Sequence, residues 1–253
     1  MWICKKIVVL ICFCFLFGCS SISIPNSFVY REIRTSTFRI ASWQKVTNPH
    51  DKFKIYIEGD GASFDAYGEP TDDPTPRSTL VRELAFGDRN SNVIYLARPC
   101  QFVFSDMCSE KHWVDGRFSS EVVTAMYEAV LQIVGKNEVV LVGFSGGAQV
   151  AGLISVARRG LNVKKIITIG GNLDHLAWTM LLGLPSLSQS MNLENYREEY
   201  LKIEQKHYVG TRDDVVPKGL VYDFVGDNKY IIEEVDANHN DGWNVIYSKI
   251  WSE

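Results

Sequence analysis

Glu138-Val139-Val140-Leu141-Val142-Gly143-Phe144-Ser145-Gly146-Gly147-Ala148-Gln149-Val150 is the stretch whose reading decides the fold. A β-branched, apolar run passes straight into Gly-Phe-Ser-Gly-Gly and then into small, helix-compatible residues. That pattern reads as a buried strand, a very tight turn and a helix in one line. A serine lifted onto so sharp a turn takes strained backbone angles. The residues two before and two after it must lack bulk, so that strand and helix can approach each other. Gly143 and Gly147 meet that need, and Ser145 is the candidate nucleophile. The amide of Gly146 and the N-terminus of the following helix supply partial positive charge for a developing oxyanion.

Downstream, residues 164–169 read as a further strand closed by Gly170-Gly171. Residues 202–209 form another, followed by Gly210-Thr211-Arg212-Asp213-Asp214-Val215-Val216-Pro217. Residues 229–235 form the last strand, followed by Asn238-His239-Asn240-Asp241-Gly242-Trp243. An acid and a histidine thus each stand on a loop after a strand, at the edge where Ser145 emerges, in the order Ser, Asp, His. The stretch 172–200 is apolar at first and then polar. It is either a lid over the site or irregular structure packed on the domain.

Upstream, residues 53–58 read as a strand ending in Gly59-Asp60-Gly61, where a second oxyanion N–H is expected. The backbone of Asp60 is the first choice as donor, with Gly61 or Ala62 as alternatives and an ordinary Asp-Gly turn as the plain reading. A carboxylate beside a forming oxyanion hinders it, so the Asp60 side chain is expected to point away or be bonded elsewhere. Residues 28–34 and 38–44 alternate as two antiparallel strands, and 69–76 is an exposed Pro, Asp and Thr loop. A helix is expected over 78–86 and a strand over 92–97. Residues 98–117 follow, with Phe102, Phe104, Lys111, His112 and Trp113 as candidates for one wall of a pocket. Ser119 reads as the N-cap of a helix running to Val134.

The 253 residues, 46% hydrophobic and 22% charged, allow one sizeable domain. A formal charge of -4 and the lack of any basic run argue against a nucleic-acid partner. No Gly-x-x-x-x-Gly-Lys-Ser/Thr motif or metal-ligand cluster stands in the chain, so neither a nucleotide nor a metal cofactor is expected. The N-terminus carries Lys5 and Lys6, an apolar run over 7–17 too short to span a bilayer, and then Gly18-Cys19-Ser20. Beyond that segment only Cys100 and Cys108 remain, and a lone pair eight positions apart in an exported chain suggests a local disulfide. Two reduced, buried thiols are the alternative.

The N-terminal segment resembles a bacterial lipoprotein signal, with Leu16, Gly18 and Cys19 in the matching positions and Phe17 bulkier than usual. That resemblance implies cleavage before Cys19 and lipidation of its thiol, with Ser20 favouring the outer membrane facing the periplasm. An uncleaved anchor or an ordinary secretory signal is the alternative. The implied organisation is a signal over 1–18, a tether over 19–27 and a domain over 28–253, with the candidate lid at 172–200.

From about Phe53 to the C-terminus the chain resembles the α/β-hydrolase superfamily, which implies a mostly parallel central sheet flanked by helices, with the N-terminal strands antiparallel. In that family the acid lies in a Gly-x-x-Asp-x-Val-Val-Pro segment, so the resemblance favours Asp213 over Asp214, and the base matches His239. Glu58-Gly59-Asp60-Gly61 departs from the family's usual His-Gly opening. Tyr56-Ile57-Glu58-Gly59-Asp60-Gly61 and Gly171-Asn172-Leu173-Asp174-His175 also look like a group of proteobacterial exported hydrolases. The implied chemistry is acyl transfer by Ser145, His239 and Asp213, with the Gly146 and Asp60 amides receiving the oxyanion and a small-molecule or lipid ester as substrate. A peptidase or thioesterase, or a non-catalytic envelope binding protein of the same fold, is the alternative.

Overall fold

The computed structural model describes residues 23–253. The expected signal over 1–18, the lipidation site Cys19 and the start of the tether lie outside the described residues. In chain order the elements are β1 (Val29–Arg34), β2 (Arg39–Val46), β3 (Phe53–Ile57), α1 (Leu80–Gly87), β4 (Asn92–Leu96), α2 (Ser120–Val134), β5 (Glu138–Phe144) and α3 (Gly146–Val156). They continue with β6 (Asn162–Ile169), α4 (His175–Leu182), α5 (Arg197–Tyr200), β7 (Glu204–Gly210), α6 (Lys218–Val225), β8 (Ile232–Val235) and α7 (Tyr247–Ser252).

The eight strands form one sheet in the order β1-β2-β4-β3-β5-β6-β7-β8. β1 and β2 pair antiparallel, β2 meets β4 antiparallel, and every neighbouring pair from β4 to β8 is parallel. Parallel strands need crossover connections, which lay helices on both faces and bury the strands on both sides. β3 and β4 accordingly show no exposed residue along their length. On one face Ile55, Leu141 and Ile166 pack with α2 and α3 through Val122, Met126, Val150 and Ile154. On the other, Tyr56, Tyr95 and Val142 pack with α1 and α7 through Leu84 and Ile250.

The centre of the sheet, β3-β5-β6, carries all its turns out at the carboxyl edge, which is where an open α/β sheet offers a crevice. Two expectations shift here. Residues 229–231 form a single 3-10 turn before β8, with the Ile231 amide bonded to the Asn228 carbonyl. α6 and α7 are further short helices that the sequence pattern did not announce.

The chain's last helix is held from inside the sheet. Lys54, on β3 and 2% exposed, donates from Nζ to the carbonyls of Ile250 (2.8 Å) and Trp251 (3.2 Å). Its ammonium lies 3.3 Å from the Asp88 carboxylate, which also accepts from the Tyr56 hydroxyl at 2.7 Å. Burial pulls the Lys54 pKa down, and Asp88 opposes that pull. A buried cation thereby satisfies the carbonyls that every helix leaves open at its C-terminus.

Candidate active site

Ser145 links β5 to α3 with φ 52° and ψ −124°, a left-handed conformation rare for a residue with a side chain. The flanking glycines are steric necessities. A Cβ at Gly143 would fall 2.5 Å from the Gly147 carbonyl oxygen, and one at Gly147 would fall 2.5 Å from that of Ile57. The turn is closed by the amides of Ala148 and Asn172, which both donate to the Ser145 carbonyl at 3.1 Å.

The structure brings Ser145, His239 and Asp213 together. His239 Nε2 lies 3.0 Å from Ser145 Oγ, and Nδ1 lies 2.9 Å from Asp213 Oδ2. Asp213 sits after β7, with a side chain that has no exposed surface, and its Oδ1 accepts from the amides of Val215 (3.0 Å) and Val216 (2.8 Å). Those two bonds and the one to the imidazole hold the carboxylate in one orientation toward His239. The His239 ring packs against Phe144, centroids 5.0 Å apart, and Trp243 Nε1 donates to the His239 carbonyl at 3.1 Å. Asp214, the other acid of that loop, is exposed.

The Gly59–Asp60 turn lies against the elbow, since a Cβ at Gly59 would come 3.3 Å from Ser145 Cβ. Of the three candidate donors, Ala62 is removed because its amide donates to the Pro74 carbonyl at 3.0 Å. Among the described residues, the amides of Asp60, Gly61 and Gly146 have no backbone acceptor. The Asp60 carboxylate is bonded to Arg98 and Arg117. Burial works against its charge, but the two guanidiniums outweigh that and hold its pKa below the ordinary value. Glu58, where a histidine is usual in the resembling family, is buried. It accepts from the Tyr95 hydroxyl (2.7 Å) and the Gly59 amide (2.9 Å), and burial pushes its carboxyl up.

A cavity of about 920 Å³ opens over Ser145 and His239, lined by Phe64, Arg117, Asn172, Trp178, Leu187 and Val216 among others. The stretch 172–200 contributes much of that wall, and Trp178 Nε1 ties it to the acid loop through the Val215 carbonyl at 2.7 Å. The aromatic residues of 98–117 do not line it. Phe102 packs on Trp43 and Tyr95, and Trp113 Nε1 donates to the Thr71 carbonyl. The wall from that segment is made by Val114, Asp115 and Arg117 instead. Cys100 and Cys108 are joined as a disulfide. The remaining four histidines stand apart: His50 is exposed, His207 is enclosed between Thr168 and Gln205, His112 pairs with Glu121, and His175 stacks on Phe118. Among the described residues no cluster of three or more His, Cys, Asp or Glu side chains is placed to hold a metal. Arg98, Gln101 and Arg117, which meet the Gly59–Asp60 turn, stand in no sequence motif.

No protein-family model matches the chain, and no curated protein sequence matches it. Solved structures do. Est1E from Butyrivibrio proteoclasticus superposes with a TM-score of 0.59 at 13% identity, over 89% of this chain and 96% of its own. A serine hydrolase from Cycloclasticus zankles gives 0.52 at 14%, over 88% and 94%. An α/β serine hydrolase without a lid from Xanthomonas campestris gives 0.50 at 14%, over 92% and 94%. At these identities the likeness is one of fold.

Proposed function

We propose, from the α/β-hydrolase fold that this chain has, that it is a serine hydrolase cleaving a carboxylic ester or related acyl bond. The observation that carries the reading is the relay of 3.0 Å and 2.9 Å from Ser145 through His239 to Asp213 at the floor of a cavity. Hydroxyl, imidazole and carboxylate in that sequence are the parts of nucleophilic acyl transfer.

In the first step His239 Nε2 takes the Ser145 proton as Oγ bonds to the substrate's carbonyl carbon. The carbonyl π electrons move onto oxygen, and the Gly146 and Asp60 amides receive that charge. Collapse re-forms the carbonyl and breaks the bond to the leaving alcohol, which takes the proton back from His239. Water then attacks the acyl-enzyme with His239 again as base, releasing the acid and restoring Ser145. Asp213 holds the imidazole in the tautomer that presents Nε2 to the serine and balances the imidazolium that forms.

The apolar part of the wall, from Phe64, Trp178, Leu184 and Leu187, supports an acyl or lipid ester as substrate. The mature chain is exported and held to the outer membrane by acyl chains on Cys19. The support is the Leu16–Gly18–Cys19 pattern and the Cys100–Cys108 bridge, a bond of oxidising compartments. Labelling with palmitate, compared with Cys19→Ser, tests the anchor. The decisive experiment on the chemistry is reaction of the folded domain with a fluorophosphonate. Labelling of the wild type and none of Ser145→Ala is expected, and a well-folded wild type that stays unlabelled sinks the reading.

A further inference from the structure

The Asp60 amide can serve an oxyanion only if its own side chain is kept from doing harm. A Cβ at Gly146 would fall 2.1 Å from Asp60 Oδ1, so the carboxylate lies directly over the residue whose amide is the other donor. Left unpaired there, a negative charge opposes the one that develops in the transition state. Neither oxygen is unpaired. Arg98 Nη1 donates to Oδ1 and Arg117 Nη1 to Oδ2, the latter at 2.7 Å.

The arginines are themselves fixed. Their side chains are 4% and 5% exposed. Arg98 Nη2 donates to the Arg117 carbonyl, and its guanidinium lies 4.9 Å from the Phe118 ring. Arg117 Nε donates to the Val114 carbonyl at 2.6 Å. Gln101 acts on the backbone of the same turn: its Nε2 donates to the Gly59 carbonyl at 3.0 Å, while its Oε1 accepts from the Arg98 amide at 3.0 Å. Gln101 is flanked by Cys100 at φ 70° and Phe102 at φ 62°, which with Ser145 are the non-glycine residues of positive φ among those described. Such a residue is strained and persists where the surroundings over-determine it, commonly beside functional sites. The bond from Cys100 to Cys108 adds a covalent closure to the same segment.

We propose that Arg98, Gln101 and Arg117 are positioning residues for the oxyanion turn. The arginines neutralise the Asp60 carboxylate and turn it away from the reacting carbonyl, and Gln101 fixes the Gly59 carbonyl so that the Asp60 amide faces Ser145. The inference rests on the serine-hydrolase reading above. Buried ion pairs are weak evidence of stabilisation in themselves, so a role in holding the site is the better reason for one beside the nucleophile.

The test is steady-state hydrolysis of p-nitrophenyl acetate by wild type, Arg117→Met and Arg117→Met/Asp60→Asn, with thermal melts run alongside. Arg117→Met is expected to lower kcat by about 10²-fold with KM within about twofold, the scale of a misplaced reacting group. Removing the stranded charge with Asp60→Asn is expected to recover about tenfold of that loss, a rescue that repair of the fold alone does not produce. Should Arg117→Met fail to fold, Arg117→Lys carries the test, with kcat expected to fall about tenfold as the fork is lost and the charge kept. A folded Arg117→Met or Arg117→Lys with kcat within threefold of wild type overturns the proposal, as does a double variant no faster than the single. A folded wild type without Ser145-dependent turnover overturns the hydrolase reading and this inference with it. An active wild type with indifferent variants overturns this inference alone.

Discussion

At Ser145 a single residue carries both the strain of the turn and the proposed chemistry, and the two have one cause. A left-handed serine projects its hydroxyl off the strand only because the glycines at 143 and 147 let backbone pass where a Cβ cannot. Gly147→Ala is therefore expected to cost about 1–3 kcal/mol by overpacking and to abolish turnover, read by denaturant melts and ester assay. Asp213→Asn keeps the shape of the acid but removes the charge that fixes the imidazole tautomer. Its expected effect is a fall of about 10⁴-fold in kcat, with fluorophosphonate labelling slowed in step. Ser145 and His239 were legible in the sequence because each stands in a local pattern, glycines at ±2 and a loop after the last strand, whereas the local pattern left Asp213 and Asp214 open and the family resemblance favoured Asp213. Arg98 and Arg117 were not, because they meet Asp60 across 38 and 57 positions and no local pattern marks such a pairing. Gln101 has a signal only in retrospect, as the residue between two left-handed neighbours.

Among the elements, β7 carries a pH dependence of stability. His207 is fully buried, with Nδ1 at 2.7 Å from Thr168 Oγ1 and Nε2 at 2.9 Å from Gln205 Oε1, a pairing that suits the neutral ring. Burial, helped by Lys206, lowers its pKa from 6.5 to about 3. Below pH 6.5 the unfolded chain takes up a proton that the native one refuses, so stability is lost as pH falls from about 6.5 toward about 3. The expected slope from this residue is about 1.4 kcal/mol per pH unit between pH 6 and 4. Urea melts of wild type and His207→Gln across that range check it, and the variant's profile is expected to be flatter. The segment 98–117 is a second element with a distinct signature. Cys100→Ser/Cys108→Ser is expected to lower stability by about 2–3 kcal/mol through loop closure. Strands and the long helix α2 were readable from alternation and capping, whereas α7, of six residues, was too short to show a period.

For the whole molecule, the parallel run β4-β3-β5-β6-β7-β8 gathers six loops at one rim, and the cavity is what they enclose. The class of fold was legible from strands alternating with helices, but strand order was not, since it is set by which faces meet in space. The outer side of α4 leaves Leu176, Met180 and Leu181 at 50%, 75% and 60% exposure beside the cavity mouth. Leu184, which lines the cavity and is 43% exposed, is the position at which to shorten it. Leu184→Trp is expected to reduce kcat/KM for a p-nitrophenyl octanoate by about tenfold or more while sparing the acetate, measured across an ester series.

The grip of Lys54 on the carbonyls of Ile250 and Trp251 reaches beyond the site at Ser145. A premature stop at codon 250 would spare Ser145, Asp213 and His239, yet take two carbonyl partners from a buried ammonium, leaving it Asp88, and expose the face of α1 that Trp251 covers through its bond to the Leu84 carbonyl. Such a lesion would register in a cell as scarcity of the protein, cleared by quality-control proteases, and a geneticist would score it as a null allele although no reacting group had been altered.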